Sequence, residues 1–185
     1  MIAWIDLETT GLSLDCRIIE VACVVTDEKF DEKTDLFSSC VFLPRDAVTE
    51  ETAVEMHVKS GLWEEIQHAK RPMSSVDRVV SYMIGKFYGT QKLILGGSSV
   101  HFDRGFIEKY MPATSRHLHY RNLDVSSIKF FASCLSGIPT EYLPPIKAET
   151  KHRAADDIRA SLKAIRWYRD NMELANGVQG RTLNG

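Results

Sequence analysis

This sequence predicts an α/β sandwich in which helices pack around a mixed sheet. Two observations carry that expectation. The first 43 residues hold three apolar runs rich in β-branched residues, and the remainder alternates amphipathic helical patterns with short apolar strands. The chain has 185 residues, 44% hydrophobic and 26% charged. That suits one domain over residues 1–175, burying roughly 70% of its unfolded surface. Residues 176–185, rich in Gly and Asn, read as a loose tail.

The elements follow in order. Residues 2–8 and 17–27 are continuous apolar runs of strand length, and 36–43 is a third strand. Leu12 to Cys16 forms the first turn. Residues 49–69 read as helix, broken near Lys59-Ser60-Gly61. Apolar residues at 76, 79, 80, 83, 84 and 87 give an amphipathic helix over 75–88. Residues 92–97 are a short buried strand running into a tight turn. A helix over 103–111 ends at Pro112. The last strand spans 120–125, followed by a helix over 126–135, an irregular loop over 140–151 and a final helix over 154–171.

Composition excludes several classes. No 18-residue apolar run is present, so no transmembrane helix is expected, and the N-terminus begins as a core strand without a basic leader. The four cysteines (Cys16, Cys23, Cys40, Cys134) form no C-x-x-C pair, which argues against zinc or redox motifs and fits a cytoplasmic protein. A net charge of −2 argues against a long cationic track for duplex DNA. It leaves room for a nucleic acid held in a small pocket where bound metal supplies positive charge.

The chemistry starts in the first strand, which is apolar yet carries Asp6 and Glu8. Alternation puts both carboxylates on one face, roughly 6.5–7 Å apart at the backbone. Two anions at the end of a core strand are costly, and each raises the other's pKa. A divalent cation removes both costs, and oxygen-only ligands indicate Mg²⁺ or Mn²⁺. Asp103 lies just beyond the fourth strand, where an acid more often serves as a helix cap.

The segment His152-Arg153-Ala154-Ala155-Asp156-Asp157 supplies the rest. A His and an Asp five apart are roughly 140° apart on a helix, so His152 belongs to the preceding loop. Ala154, Ile158, Ser161, Leu162, Ile165 and Tyr168 define an inward stripe. Asp157 lies roughly 75° from its centre, whereas Asp156 points nearly opposite. Asp157 therefore faces the sheet and Asp156 faces water. With Asp6, Glu8, Asp103 and Asp157 around metal, a neutral His152 could take the proton from an attacking water.

Asp6-x-Glu8, then Asp103, then His152 followed five residues later by Asp157, resembles the DEDDh pattern of 3′→5′ exonucleases, with closest similarity to the oligoribonuclease family. Supporting segments run from Trp4 to Leu12, Arg17 to Glu20, His57 to Leu62, Ser99 to Asp103, Lys109 to Pro112, His119 to Ser126 and His152 to Ile158. The resemblance implies a ribonuclease-H-like fold with a five-stranded mixed sheet. It also implies two Mg²⁺ or Mn²⁺ ions on the four acids, His152 as general base and short single-stranded RNA as substrate.

The resemblance further makes Leu12 a wedge at the terminal base and puts His57 near the same pocket. Ser99, Arg121 and Ser126 would grip the 5′ phosphate, and Tyr120 would reach the partner's site in a homodimer. Without the family, Leu12 reads as a turn residue, His57 as a surface residue, Tyr120 and Arg121 as strand residues, and both serines as helix caps. Two positions depart from the family: Thr52 stands where members carry Trp, and Ser98 where they carry Asn. Loss of a stacking ring costs about 1–3 kcal/mol per base, which loosens the expected preference for dinucleotides. The rival readings are an exonuclease on single-stranded DNA of less restricted length, and a catalytically dead nucleic-acid-binding protein.

Overall fold

The computed structural model describes residues 1–87, 89, 91–147 and 152–171. Its sheet is built from β1 (Ile2–Thr9), β2 (Ile18–Thr26), β3 (Phe37–Cys40), β4 (Leu93–Gly97) and β5 (Leu118–Asp124), in the order β3-β2-β1-β4-β5. β1 pairs antiparallel with β2 and parallel with β4; β2 and β3 are antiparallel, and β4 and β5 parallel. The mixed five-stranded sheet expected from the sequence is therefore present.

β1 is buried on both faces, which explains its unbroken apolar run. Ala3, Ile5 and Leu7 join one core cluster with Val76, Val80 and Ile84 of α3 (Met73–Gly85) and Phe106 and Ile107 of α4 (Val100–Tyr110). Ile2 and Trp4 point the other way, into a second cluster with Ala154, Ile158, Leu162 and Ile165 of α7 (Ala154–Asn171). The Trp4 indole N–H donates to the Thr26 hydroxyl at 2.9 Å, satisfying the polar edge of a fully buried ring. By the same alternation Asp6 and Glu8 lie on the α7 side.

The predicted break in the second helical region falls at Gly61, whose φ of 79° is left-handed. It separates α1 (Glu51–Ser60) from α2 (Leu62–Gln67). Several boundaries differ from expectation. α4 starts at Val100, three residues early, because the Asp124 carboxylate accepts from the Ser99 and Val100 N–H groups at 3.2 Å each. Pro112 ends α4 as expected but also opens α5 (Pro112–Ser115), whose Ala113 and Thr114 N–H groups donate to Asp77 at 2.9 and 2.8 Å. Asp124 also caps α6 (Val125–Ser136), donating partners being the N–H groups of Ser126 and Ser127. β3 is shorter than expected, since the Phe42 N–H turns to the Arg71 carbonyl. A 3₁₀ turn at Thr140–Tyr142 interrupts the irregular loop. Residues 148–151 of that loop, Tyr88, and the tail at 176–185 lie outside the described residues. Among the described residues no helix is long and apolar enough to cross a membrane.

Candidate active site

Three elements converge at the C-terminal end of β1. β4 pairs with β1 only over Ile2 to Trp4, so the Leu7 N–H has no partner on that side of the sheet. Asp103, in the first turn of α4, fills the gap: its Oδ1 accepts that N–H at 3.1 Å. This backbone contact brings a helix acid beside the strand acids. From the opposite side the first turn of α7 brings Asp157, which is 3% exposed. Asp156 stays half-exposed and pairs with Arg159 at 3.0 Å. The inward stripe of α7 is buried at every predicted position.

Carboxylate oxygens of Asp6, Glu8 and Asp157 lie within 4.8 Å of one another, all buried. Burial, then the charges of Asp103, Asp157 and Glu8, hold Asp6 well above its ordinary pKa. Burial, then Asp157 and Glu20, push Glu8 up to about 8. Burial also pushes Asp103 up to about 7. The Lys147 ammonium opposes the rise in all three. Such crowding is unfavourable for a protein alone and is relieved by a cation. The donors are hard oxygens, so they fit Mg²⁺ or Mn²⁺ rather than a soft metal. The acidic cluster can therefore hold a divalent metal.

An open cleft of about 450 Å³ lies over these acids. Its walls include Leu12, Thr52, Met56, Ser99, Phe102, Lys147 and His152. Leu12 is 77% exposed, an unusual position for leucine, at the tip of the turn after β1. At the rim, a Cβ on Gly11 would meet the Glu50 side chain at 2.4 Å, so a larger residue there would have to displace that side chain. His152 is exposed, with a left-handed φ of 37°.

Of the residues expected in the site, Asp6, Glu8, Asp103, Asp157, His152, Leu12 and Ser99 thus line one cleft. Ser126 stands next to it, its Oγ accepting the Ser99 N–H at 3.0 Å and lying 3.3 Å from the Ser99 Oγ. Neither serine caps a helix through its side chain; Asp124 takes that role for α6. His57 is not a surface residue but fully buried. Its Nε2 donates to the Thr9 carbonyl at 2.9 Å, and its Nδ1 lies 4.0 Å from Glu8 Oε2, so it braces the end of β1 from behind. Burial lowers its pKa. Tyr120 and Arg121 sit apart from the cleft on β5, both exposed, with the guanidinium carbon 5.4 Å from the Tyr120 ring centre.

Ser98 is buried and donates to the Ile146 carbonyl at 3.2 Å, with Ser161 Oγ at 2.8 Å, tying β4 to α7. Sequence reasoning missed Lys147, Met56 and Phe102. Lys147 falls in a loop without periodicity, where a lone lysine carries no signal. Phe102 was visible only as a residue flanking Asp103.

The family profile described as exonuclease, of the RNase T group, matches residues 3–165. Bovine mitochondrial oligoribonuclease is 33% identical over 172 residues, covering 91% of this chain and 72% of that protein. Oligoribonuclease of Francisella tularensis is 31% identical over 175 residues, covering 91% of this chain and 94% of that protein. Among solved structures, E. coli exonuclease I in complex with a dT13 oligonucleotide superposes with a TM-score of 0.69 at 15% identity. That match covers 92% of this chain and 41% of exonuclease I, so the likeness is one of fold. Exonuclease I from Methylocaldum szegediense gives 0.68 over 92% of this chain and 40% of its own. With the acids of β1, α4 and α7 gathered under one cleft and the relatives matching over 91% of this chain, the chain belongs to the exonuclease family, in its oligoribonuclease branch.

Proposed function

We propose that this protein is a divalent-metal-dependent 3′→5′ exonuclease that releases 5′-mononucleotides from short single-stranded oligoribonucleotides. The observation that carries the reading is the buried Asp6, Glu8 and Asp157 cluster, its oxygens within 4.8 Å, at the floor of an open cleft. Asp6, Glu8, Asp103 and Asp157 hold Mg²⁺ or Mn²⁺, directly or through water. When bound, the cations supply charge stabilisation to the attacking and leaving oxygens.

The remaining work falls to side chains. His152, on the cleft wall, removes a proton from water as its oxygen attacks the scissile phosphorus, and the P–O3′ bond breaks, the 3′ oxygen of the preceding nucleotide leaving and taking up a proton from solvent. Leu12 and Phe102 present apolar surface to the terminal base. Ser99 and Ser126 offer hydroxyls at the far side, suited to a 5′ phosphate. Lys147 adds positive charge near the anionic backbone. His57 acts from behind, bracing Thr9 and Glu8 rather than meeting substrate.

Labelled RNA and DNA strands of two to twenty nucleotides, assayed side by side with Mg²⁺ and Mn²⁺, test the reading. Fastest hydrolysis of the shortest RNA supports it. Equal rates at all lengths, or preference for DNA, favours a general single-strand exonuclease. Thr52, in place of a stacking ring on the cleft wall, is the feature that supports this second reading.

His152→Ala lowers kcat by about 10²–10⁴-fold. Metal affinity stays nearly unchanged, because His152 is not proposed as a ligand. Calorimetry showing that affinity collapse would reassign it as one.

The protein acts as a homodimer in this reading. Tyr120 is 74% exposed on the edge strand β5, and Phe130, Phe131 and Leu135 of α6 are 66%, 55% and 66% exposed. Exposed apolar side chains on a sheet edge and on α6 each favour a partner that covers them. A facing subunit walls off the 5′ end and favours strands of two to about five nucleotides, with Tyr120 and Arg121 reaching the partner's cleft. Tyr120→Ala impairs short substrates by about tenfold or more while metal binding is retained. Light scattering from a fully active monomer refutes the dimer.

A further inference from the structure

We propose that Glu20 and Arg153 form a clamp that positions His152, which makes Glu20 a positioning residue for the reaction above and not a member of the acidic cluster. The proposal rests on the exonuclease reading.

Glu20 lies opposite Glu8 in the β1–β2 register and is 1% exposed. Cross-strand partners share a face, so the register alone places Glu20 with the acids of β1. Its carboxylate is instead filled from the α7 side. Oε1 accepts from Arg153 Nη2 at 2.9 Å, and Oε2 accepts from the Ala154 N–H at 3.0 Å. Arg153 Nε reaches both oxygens at 3.2 Å, and the Ser38 hydroxyl donates to Oε1 at 3.3 Å. Glu20 does not border the cleft.

These contacts supply what the local sequence lacks. A helix N-terminus leaves N–H groups to be satisfied, usually by Ser, Thr, Asp or Asn at the cap. His152-Arg153-Ala154-Ala155 offers none of these, and Glu20 provides the acceptor from across the sheet. Arg153 then turns its outer nitrogens to Glu65 of α2, at 2.7 Å each. A planar guanidinium can hold two carboxylates at once in this way, which a lysine cannot.

The residue so clamped directly follows His152. The left-handed φ of His152 is uncommon for a residue other than glycine and costs free energy that its surroundings must offset. Arg153 and Ala154 are anchored, so the His152 backbone leaves the helix in a fixed direction. The acids of β1 need no such help, because the sheet ladder fixes them. Loosening the clamp therefore reaches His152 first.

The experiment uses the full chain with Glu20→Gln and Arg153→Lys. Each lowers kcat by about 10–100-fold, the scale on which a misplacement near 1 Å acts. KM and Mn²⁺ affinity by calorimetry stay within about twofold. In a His152→Ala background Glu20→Gln adds less than about twofold, because the residue through which it acts is gone. Independently of activity, the Ala154 amide exchanges with solvent about tenfold faster or more in Glu20→Gln, having lost its charged acceptor.

Unchanged kcat in both variants, or equal losses with and without His152, overturns the positioning role. Unchanged exchange at Ala154 overturns the clamp itself. Failure of the wild type to hydrolyse any oligonucleotide overturns the functional reading instead, and the exchange measurement still stands. Should Glu20→Gln fail to fold, Arg153→Lys carries the same comparisons.

Discussion

Asp157→Asn lowers the rate of hydrolysis by about 10³-fold or more, close to 4 kcal/mol of barrier, while Asp156→Asn stays within about twofold. The two residues are adjacent and chemically identical, so the comparison isolates position. Asp157 is 3% exposed and shares the acidic cluster with Asp6 and Glu8. Asp156 faces solvent and pairs with Arg159, an exposed ion pair worth a fraction of a kcal/mol. Steady-state rates of both variants at saturating Mg²⁺ decide the matter. Equal losses would mean that the helix, not its sheet-facing carboxylate, matters to the reaction.

Asp6→Asn abolishes turnover and at the same time raises the melting temperature of the metal-free protein. Asp6 is held well above its ordinary pKa by burial and by Asp103, Asp157 and Glu8. Removing one anion from the cluster relieves its neighbours, at the cost of a position for the cation. The same crowding fixes the pH dependence of metal-free stability. In the unfolded chain these carboxyls lose their protons near pH 4. In the folded protein Asp103 and Glu8 keep theirs to about 7 and about 8.

Between those limits the folded state binds more protons at these two groups, so their contribution to stability is complete below pH 4 and is lost as pH rises through 8. Added Mg²⁺ or Mn²⁺ restores it by binding the folded state alone. Melting curves of wild type and Asp6→Asn from pH 5 to 8, with EDTA and with Mg²⁺, give the result. A wild-type melting temperature independent of pH in EDTA would refute the crowded-acid account.

The chain by itself determined the order of its main strands and helices and the placing of Asp6 and Glu8 on one face of β1. It also determined the choice of Asp157 over Asp156. Each follows from a local repeat, two residues in a strand or 3.6 in a helix, and a local repeat is written in neighbouring residues. Tertiary structure decided the rest. The early start of α4 depends on Asp124, 24 residues away in sequence from Val100, and the seat of Asp103 on the Leu7 N–H spans 96.

His57 reads as a surface residue until α1 packs it against Thr9, 48 positions away. Arg153 reads as one more charge at a helix start until β2 presents Glu20 at a separation of 133. Lys147 gains a role only when its loop meets the cleft. A hydrogen bond or charge contact between distant residues is set by which surfaces pack, and packing is a property of the whole core rather than of any window of sequence.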